Sequence, residues 1–488
     1  MEKNLTLLSE QHEQCVVLDR LSPARGGSVA VTDKATGETL FTAGVASVDD
    51  VNDAVKATAA AQKMWASRSP VERSDVLREF ARLCHLHQDE IGGWIVRETG
   101  SIPAKGVFEV QTSARDALFA ASLTDQPNGH ILASPSVRES KARRVPLGVV
   151  GVITPWNSPF VLAARVIMPA IAMGNGCVLK PDIQTPISGG YLIARLVEMA
   201  GAPPGLVSVV PGEGAIGKEI CTNPGINMIS FTGSTQTGRN VSATAGQQLK
   251  KVSLELGGNN AAIVFPDCDL AAVASATAFG SFFHQGQICF TIGRHLVHED
   301  VRGAYLKLLT EKAARLHVGN PATEQVHLGP MINRTQADRA RDILVRSISA
   351  GAELSGGDHG EGAFMKPIVV DRVTADMSLF REEIFGPVAP ITTFRNEDEA
   401  VNLANAVADG LVTSVFTDDI GRALRVSDRL RTGIVHINDQ TVVHEAFAPI
   451  GGMGTSGNGA RSGGPSVADE YSQWQWITVN HEVPEYPF

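Results

Sequence analysis

A chain of 488 residues, 43% hydrophobic and 19% charged, has the composition of a soluble globular protein with two or three domains and a large core. Its net charge of -10, with no block of Lys and Arg, argues against a nucleic-acid-binding surface, and no apolar run approaches a membrane span. The N-terminal Met1-Glu2-Lys3-Asn4-Leu5 lacks the apolar core of a secretion signal, and the six cysteines are scattered without Cys-x-x-Cys pairs, a reduced, cytoplasmic pattern with neither a disulfide framework nor a metal site.

The first fifty or so residues read as short strands: Gly27 to Thr32 and Glu38 to Phe41 flank a turn at Ala35-Thr36-Gly37 and predict a hairpin. Asp49 and Asp50 predict the cap of an Ala-rich helix running to about Trp65, and Ser69-Pro70-Val71-Glu72 opens a second with Leu77, Phe80, Ala81 and Leu83 on its apolar face. These helices carry no evident chemistry. Residues 124–146 hold two extended segments about a Ser-Pro-Ser. They predict either a surface hairpin or an arm that pairs with another subunit.

A clean α/β alternation follows. Val149 to Ile153 is a continuous apolar strand suited to a sheet covered on both faces, and Ser158 and Pro159 predict the cap and first residue of a helix from Phe160 to Met173. Cys177 to Leu179 forms a strand delivering Lys180; a helix from about Pro186 to Met199 leads to strand Val207 to Val210. After a short helix, strand Met228 to Phe231 runs into Thr232-Gly233-Ser234-Thr235-Gln236-Thr237-Gly238. This is a doubly wound parallel sheet, in which ligands sit outside the carboxyl ends of strands, where Asn157, Lys180 and Gly233 to Gly238 all fall.

Two glycine patterns compete for a dinucleotide. Gly212-Glu213-Gly214-Ala215-Ile216-Gly217 matches G-x-G-x-x-G literally, but Glu213 would bring a carboxylate to the pyrophosphate. Gly233 to Gly238 instead opens a helix with hydroxyls and unpaired N–H groups, and is the better phosphate site. Beyond it, Leu254-Glu255-Leu256-Gly257-Gly258 sets one carboxylate in an apolar strand, where desolvation should raise its pKa towards that of a general base. A buried Glu satisfied by backbone N–H groups is the plainer alternative. Phe282 to Phe290 carries Cys289 after a turn-forming glycine, among aromatic and amide side chains. A lone Cys in a large protein is ordinarily an inert core residue; this setting suits a thiolate open to solvent on one side. Phe394 to Ala400 predicts a strand entering a capped helix, and the tail from Tyr471 to Val479 an edge strand that pairs with the 124–146 arm of a neighbouring subunit.

Together these stretches resemble the aldehyde dehydrogenase superfamily. The resemblance rests on Pro155-Trp156-Asn157, Lys180-Pro181, Phe231-Thr232-Gly233-Ser234-Thr235, Leu254-Glu255-Leu256-Gly257-Gly258, Gly286-Gln287-Ile288-Cys289, Glu382-Glu383-Ile384-Phe385-Gly386-Pro387 and Pro449-Ile450-Gly451-Gly452, in the family's order over nearly the whole chain. It implies an α/β fold with a cofactor domain (1–123 and 147–258), a catalytic domain (259–457), and a β oligomerisation arm with a C-terminal tail (124–146 and 458–488). It implies Cys289 as nucleophile, Glu255 as base and Asn157 as oxyanion donor. Trp156, Lys180, Gly233, Ser234, Thr235, Gly238, Leu256 and Gly257 would hold the cofactor, with Glu383 and Phe385 at its nicotinamide ribose. Members with the base release a free acid. Ile183 stands where many members have a ribose-binding Glu, which implies NAD with NADP also accepted. Asn259 and Gly454 replace two lysines common in the family. His284 to Cys289 with Gly451 to Gly459 resembles the branch acting on benzaldehyde, vanillin or salicylaldehyde. Phe160, Phe283, Phe290 and Phe447 are candidates for a ring slot, and Arg165 and His444 for polar contacts to a ring substituent. A homodimer or homotetramer acting on a small-molecule aldehyde is expected. The alternatives are a dehydrogenase of an aliphatic or semialdehyde substrate and, from other classes, a cofactor-independent cysteine hydrolase or acyl transferase and a non-catalytic family member kept as a binding or structural protein.

Overall fold

The computed structural model describes residues 6–488, so the Met1 to Leu5 stretch read above for a secretion signal lies outside the described residues. Among the described residues no helix is long and apolar enough to cross a membrane. Two seven-stranded sheets dominate. The first runs in the order Lys251–Leu256, Met228–Gly233, Val149–Ile153, Gly176–Lys180, Val207–Val209, Cys15–Val17, Leu21–Pro23. The five strands between Val149 and Leu256 are mutually parallel, and every residue of Val149–Ile153 and Gly176–Lys180 is buried, as their unbroken apolar character requires. The chain starts at the central Val149–Ile153, winds outward on one side and returns to the other. The switch point therefore lies between Val149–Ile153 and Met228–Gly233, just below Pro155-Trp156-Asn157 and Ser234.

The second sheet runs Glu353–Gly356, Ile368–Asp371, Val388–Phe394, Ile292–His298, Asn260–Val264, Val412–Phe416, Ile434–Ile437, parallel except for its first strand. All strands of one sheet precede Gly257 and all of the other follow Gly258. The strand-to-helix reading at Phe394 takes the form Val388–Phe394 followed by Glu397–Ala404, with the Asn396 side chain accepting from Glu399 N at 3.0 Å.

Several helix starts differ from expectation. Ser47, rather than Asp49 or Asp50, caps helix Val48–Ala66; Asp50 is the reciprocal partner, accepting from Ser47 N at 2.8 Å and paired with Arg25. Ser69 caps Pro70–Leu86 as read, with Glu72 reciprocating. Two further helices, Gln88–Thr99 and Pro103–Leu123, were not anticipated. The latter packs against Pro159–Ala172 and supplies what Ser158 does not. Ser158 has φ -140° and ψ 64° and makes no side-chain cap; the carboxylate of Glu109 accepts from Phe160 N at 3.1 Å and Val161 N at 3.2 Å instead. Glu109 is itself ion-paired with the buried Lys105. Likewise the helix expected from Pro186 opens with a π turn, Ile187–Tyr191, before Leu192–Met199, its start bound to Glu98 through Ile187 N at 3.0 Å and Ser188 N at 2.7 Å.

The arm is a three-stranded sheet of Gly129–Ile131, Glu139–Pro146 and Ser472–Val479. The tail pairs with the arm of its own chain, from Ser472 opposite Pro146 to Val479 opposite Glu139, which corrects the expectation of a neighbour's arm. Local anchors hold it there: Asn175 Nδ2 donates to Tyr471 O at 2.8 Å, and Arg144 pairs with Asp469 at 2.9 Å.

Candidate active site

One cavity of about 360 Å³ opens between the carboxyl end of the first sheet and the amino end of the second. Strand ends supply Trp156, Asn157, Gly233, Ser234 and Glu255; the approaches to the second sheet supply Cys289, Phe290, Glu383, Phe385 and Leu411. This volume is of the size that suits a small ligand or part of a cofactor.

The cysteine loop is strained and then over-determined. After helix Leu270–Phe282, His284 (φ 51°), Gln285 (φ 58°) and Gly286 (φ 68°) are left-handed in succession. Such backbone persists only where its surroundings hold it. Gln285 Nε2 donates to Gly100 O at 2.8 Å and Pro330 O at 2.6 Å, and Gln287 Oε1 accepts from Ile332 N at 3.0 Å. Gly286 must be glycine twice over, because a Cβ there would lie 2.3 Å from Gly386 O. Beyond the loop, Asn260 Nδ2 fixes the main chain by donating to Cys289 O at 2.7 Å and Thr291 O at 2.8 Å.

Cys289 is part-exposed on the cavity wall, whereas Cys84, Cys177 and Cys221 are buried in the core. Burial pushes the Cys289 thiol up to about 12, with the Arg165 guanidinium acting against it and the carboxylates of Glu383 and Glu255 adding to the rise. Glu255 is the penultimate residue of strand Lys251–Leu256; burial pushes its carboxyl up to about 8 against Arg165 and Arg461, and its Oε1 is buried without a partner. Asn157 Nδ2 donates to Gln287 O at 2.8 Å, which fixes the amide and leaves a second N–H available. A thiol, a carboxyl with raised pKa and an anchored amide donor thus share one wall. That set can add to a carbonyl, hold the resulting oxyanion and remove a proton from water.

The predicted cofactor residues divide by position. Trp156 and Phe385 meet edge to face with ring centres 5.5 Å apart, Phe385 at φ 52°. Glu383 lies over the bare backbone after Leu256: Gly258 N donates to its Oε1 at 3.2 Å, and a Cβ on Gly257 would come within 2.2 Å of its Oε2. Burial pushes Glu383 up to about 7. Ser234 caps helix Thr235–Gly246 by accepting from Thr237 N at 3.3 Å, leaving first-turn N–H groups for an anion. Gly238 lets that helix lie on Leu256, whose Cδ2 a Cβ would meet at 2.4 Å, and Thr235 donates to Thr455 O at 3.3 Å. Lys180 is buried off the cavity wall with its Nζ on Pro181 O at 3.3 Å; burial lowers its pKa, against Asp182 and Glu213. Glu213 stands at the cap position of helix Gly214–Thr222 and makes no capping bond.

The substrate candidates fare unevenly. Phe290 and Arg165 line the cavity, and His444 sits directly behind Arg165, its Nδ1 2.7 Å from Nη2. Phe160 is not a wall residue: it is fully buried on the face of its helix that packs into the core. Phe283 stacks on Phe279 with centres 4.7 Å apart, and Phe447 is 70% exposed with its ring edge against Phe119; neither lines the cavity. Sequence reasoning missed Leu162, Gln336, Arg339 and Leu411. Leu162 precedes Arg165 by three residues on one helix, a spacing that puts both on one face; Arg339, whose Nη2 donates to Glu383 O at 3.0 Å, carried no local signal.

A thiol, a carboxyl base and an amide donor placed over a doubly wound sheet define an enzyme of carbonyl chemistry, and the chain belongs to the aldehyde dehydrogenase family, whose family model matches residues 22–477. It is 45% identical over 466 residues to a vanillin dehydrogenase of Amycolatopsis sp., covering 95% of this chain and 96% of that one. It is also 45% identical over 467 residues to an NAD(+) benzaldehyde dehydrogenase of Pseudomonas putida, again with 95% and 96% covered. Among solved structures, a salicylaldehyde dehydrogenase from Pseudomonas putida G7, complexed with salicylaldehyde, superposes with a TM-score of 0.94 at 32% identity, covering 97% of this chain and 99% of that one.

Proposed function

We propose that the protein oxidises aromatic aldehydes to free carboxylic acids with NAD, and that Cys289, Glu255 and Asn157 carry the reaction. The observation that carries this is the meeting of Cys289, Glu255 and the anchored Asn157 amide on a cavity that also holds Phe290, Leu162 and Leu411. The relatives that act on vanillin and benzaldehyde support the aromatic class. The residues fit a nicotinamide dinucleotide. Gly257 and Gly258 leave bare backbone beneath Glu383, the Ser234 helix start offers N–H groups, and the Trp156–Phe385 pair gives apolar ring surface.

Cys289 loses its thiol proton to solvent and adds through Sγ to the aldehyde carbon, and the Asn157 amide with the Cys289 main-chain N–H holds the oxyanion. One such donor is worth about 10²–10³ in rate. The bound nicotinamide supplies the acceptor for the hydride that leaves the thiohemiacetal carbon. Glu255 then takes a proton from the water that cleaves the Cys289 thioester, which releases the acid and restores the thiol. Ile183, half-buried where a ribose-binding carboxylate would stand, brings no charge to repel a 2′-phosphate, so NADP is accepted as well. The exposed Trp474 and Trp476 on the outer strand of the arm support assembly into a dimer or tetramer. The scattered free cysteines suit the reducing cytoplasm.

The test is turnover of benzaldehyde and of acetaldehyde with NAD, followed by absorbance of the reduced cofactor. The expected kcat/KM favours benzaldehyde by at least about tenfold, since one well-placed ring contact of about 1.4 kcal/mol is a factor of ten, before the burial of the ring itself is added. Equal efficiency for the two would remove the aromatic assignment and leave the dehydrogenase one.

A further inference from the structure

Among the described residues no side-chain hydrogen bond holds Glu255, so its backbone must place it. The strand that carries it, Lys251–Leu256, is an edge strand of the first sheet, paired on one side only, with Met228–Gly233. An edge open on its other side is free to fray. No strand covers that side; a short segment after Met453–Gly454 does. Asn458, exposed to solvent, copies a strand partner with its side-chain amide: Oδ1 accepts from Leu254 N at 3.1 Å, and Nδ2 donates to Val252 O at 2.7 Å. Leu256 N donates to Ser456 O at 3.0 Å, and Gly457 stands opposite Glu255 in an isolated antiparallel bridge. The main chain on both sides of Glu255 is thus fixed from the open edge.

The same segment is tied to the half of the molecule that bears Cys289. Met453–Gly454 pairs antiparallel with Asp409–Gly410, just before strand Val412–Phe416 of the second sheet. Thr455 N donates to Ala408 O at 3.0 Å, Thr455 Oγ1 to Asp409 Oδ1 at 2.6 Å, and Gly410 N to Oγ of the fully buried Ser456 at 3.0 Å. Residues 453–458 therefore form a strap from the second sheet to the open edge of the first. Glu255 belongs to the first sheet, whereas Cys289 leads into strand Ile292–His298 of the second. The reach from base to thioester is set by how the two sheets are registered, and a misplacement of about 1 Å costs on the order of 10² in rate. We propose that Asn458 is a positioning residue for the hydrolytic half of the reaction, the strap that ends on it registering the base strand against the loop that carries Cys289. The proposal rests on the reading of Glu255 as the base. Addition and hydride transfer use Cys289, Asn157 and the cofactor, so only hydrolysis depends on the strap.

The experiment separates acylation of Cys289 from deacylation in the native enzyme, Asn458→Ala, Asn458→Asp and Glu255→Gln. In single turnovers with NAD and benzaldehyde below the enzyme concentration, stopped flow gives the burst of reduced cofactor and quenched-flow mass spectrometry the decay of the acyl adduct. Asn458→Ala is expected to keep the burst rate within about twofold and to slow adduct decay about tenfold, because the released strand misplaces the base by a fraction of an ångström. Asn458→Asp keeps the acceptor for Leu254 N and loses the donor to Val252 O, so its decay should fall between the two. In Asn458→Ala the pH profile of decay should also move to lower pH, since a loosened strand admits water to the carboxyl. A role in stability alone would lower the unfolding midpoint and the burst amplitude, which counts folded sites, and would leave both rate constants at native values. Native decay in Asn458→Ala overturns the proposal, and so does slowing of burst and decay by the same factor. Native decay in Glu255→Gln removes the base assignment first, and the role of Asn458 with it.

Discussion

Replacing Glu255 by Gln separates the two halves of the proposed reaction. Burial pushes the carboxyl from an ordinary 4.5 up to about 8, although Arg165 and Arg461 oppose the shift. Holding it ionised therefore costs at most about 5 kcal/mol, an upper bound because the side chain keeps some access to solvent through the cavity. With that pKa about one enzyme in ten carries the base form at neutral pH, so thioester hydrolysis should rise about tenfold per unit from about pH 6 and flatten above about pH 8. The stability linkage has the opposite sense. A carboxyl with raised folded pKa contributes stability that is complete below about 4.5 and is lost as pH rises through about 8. The Gln variant cannot ionise, so its stability should gain on the native protein's as pH rises from about 4.5 to about 8, and the difference should be level above that. In stopped flow, Glu255→Gln with benzaldehyde and NAD should show a first-turnover burst of reduced cofactor and then stall, with an acyl adduct on Cys289 by mass spectrometry. Loss of the burst with no adduct would mean that Glu255 acts before hydride transfer. A native hydrolysis rate flat across about pH 6 to 9 would mean that burial does not control this carboxyl.

Cys289→Ala should abolish oxidation while NAD still binds by calorimetry; in the native protein without cofactor, alkylation of Cys289 should still be accelerating with pH beyond about 9, because its thiol is pushed up to about 12. Gly286→Ala, at φ 68° and with its new Cβ 2.3 Å from Gly386 O, should cost about 2 kcal/mol or more in denaturant unfolding and lower kcat. For the coenzyme, native kcat/KM for NAD and NADP should differ by less than about two orders of magnitude, and Ile183→Glu should widen that gap mostly through KM for NADP; outright rejection of NADP by the native enzyme would show that another group excludes the phosphate.

The parts of the site legible in the sequence are those that strand ends and glycines announce. An apolar run such as Val149–Ile153 reads as a covered strand, and the residues just past strand ends stand near the switch point, so Asn157 and Ser234 could be placed by position, whereas Lys180, placed by the same rule, lies off the cavity wall. Single aromatics could not. Phe160, Phe283 and Phe447 are alike in the sequence, yet one is in the core, one stacks on a neighbour and one is exposed. Which way a ring turns depends on how its helix is rotated by contacts far away in the chain. Arg339 and Leu411 reach the cavity from segments whose local pattern says only helix and strand start.

The buried carboxylates show why the remainder was hidden. Glu109 lies within helix Pro103–Leu123 and Glu98 within Gln88–Thr99, positions where a Glu ordinarily faces water. Each turns inward because another helix begins against it with unpaired N–H groups: Phe160 and Val161 on Glu109, Ile187 and Ser188 on Glu98. A helix start capped from outside needs no cap of its own, which is why Ser158 makes none. The arrangement bears on the chemistry. Glu109 pins the first turn of the helix that begins two residues after Asn157 and presents Leu162 and Arg165 to the cavity, while Asp116, on the same helix as Glu109, holds His444 behind Arg165. One helix thus holds the start of the helix that follows Asn157 through a cap and the cavity cation Arg165 through an imidazole.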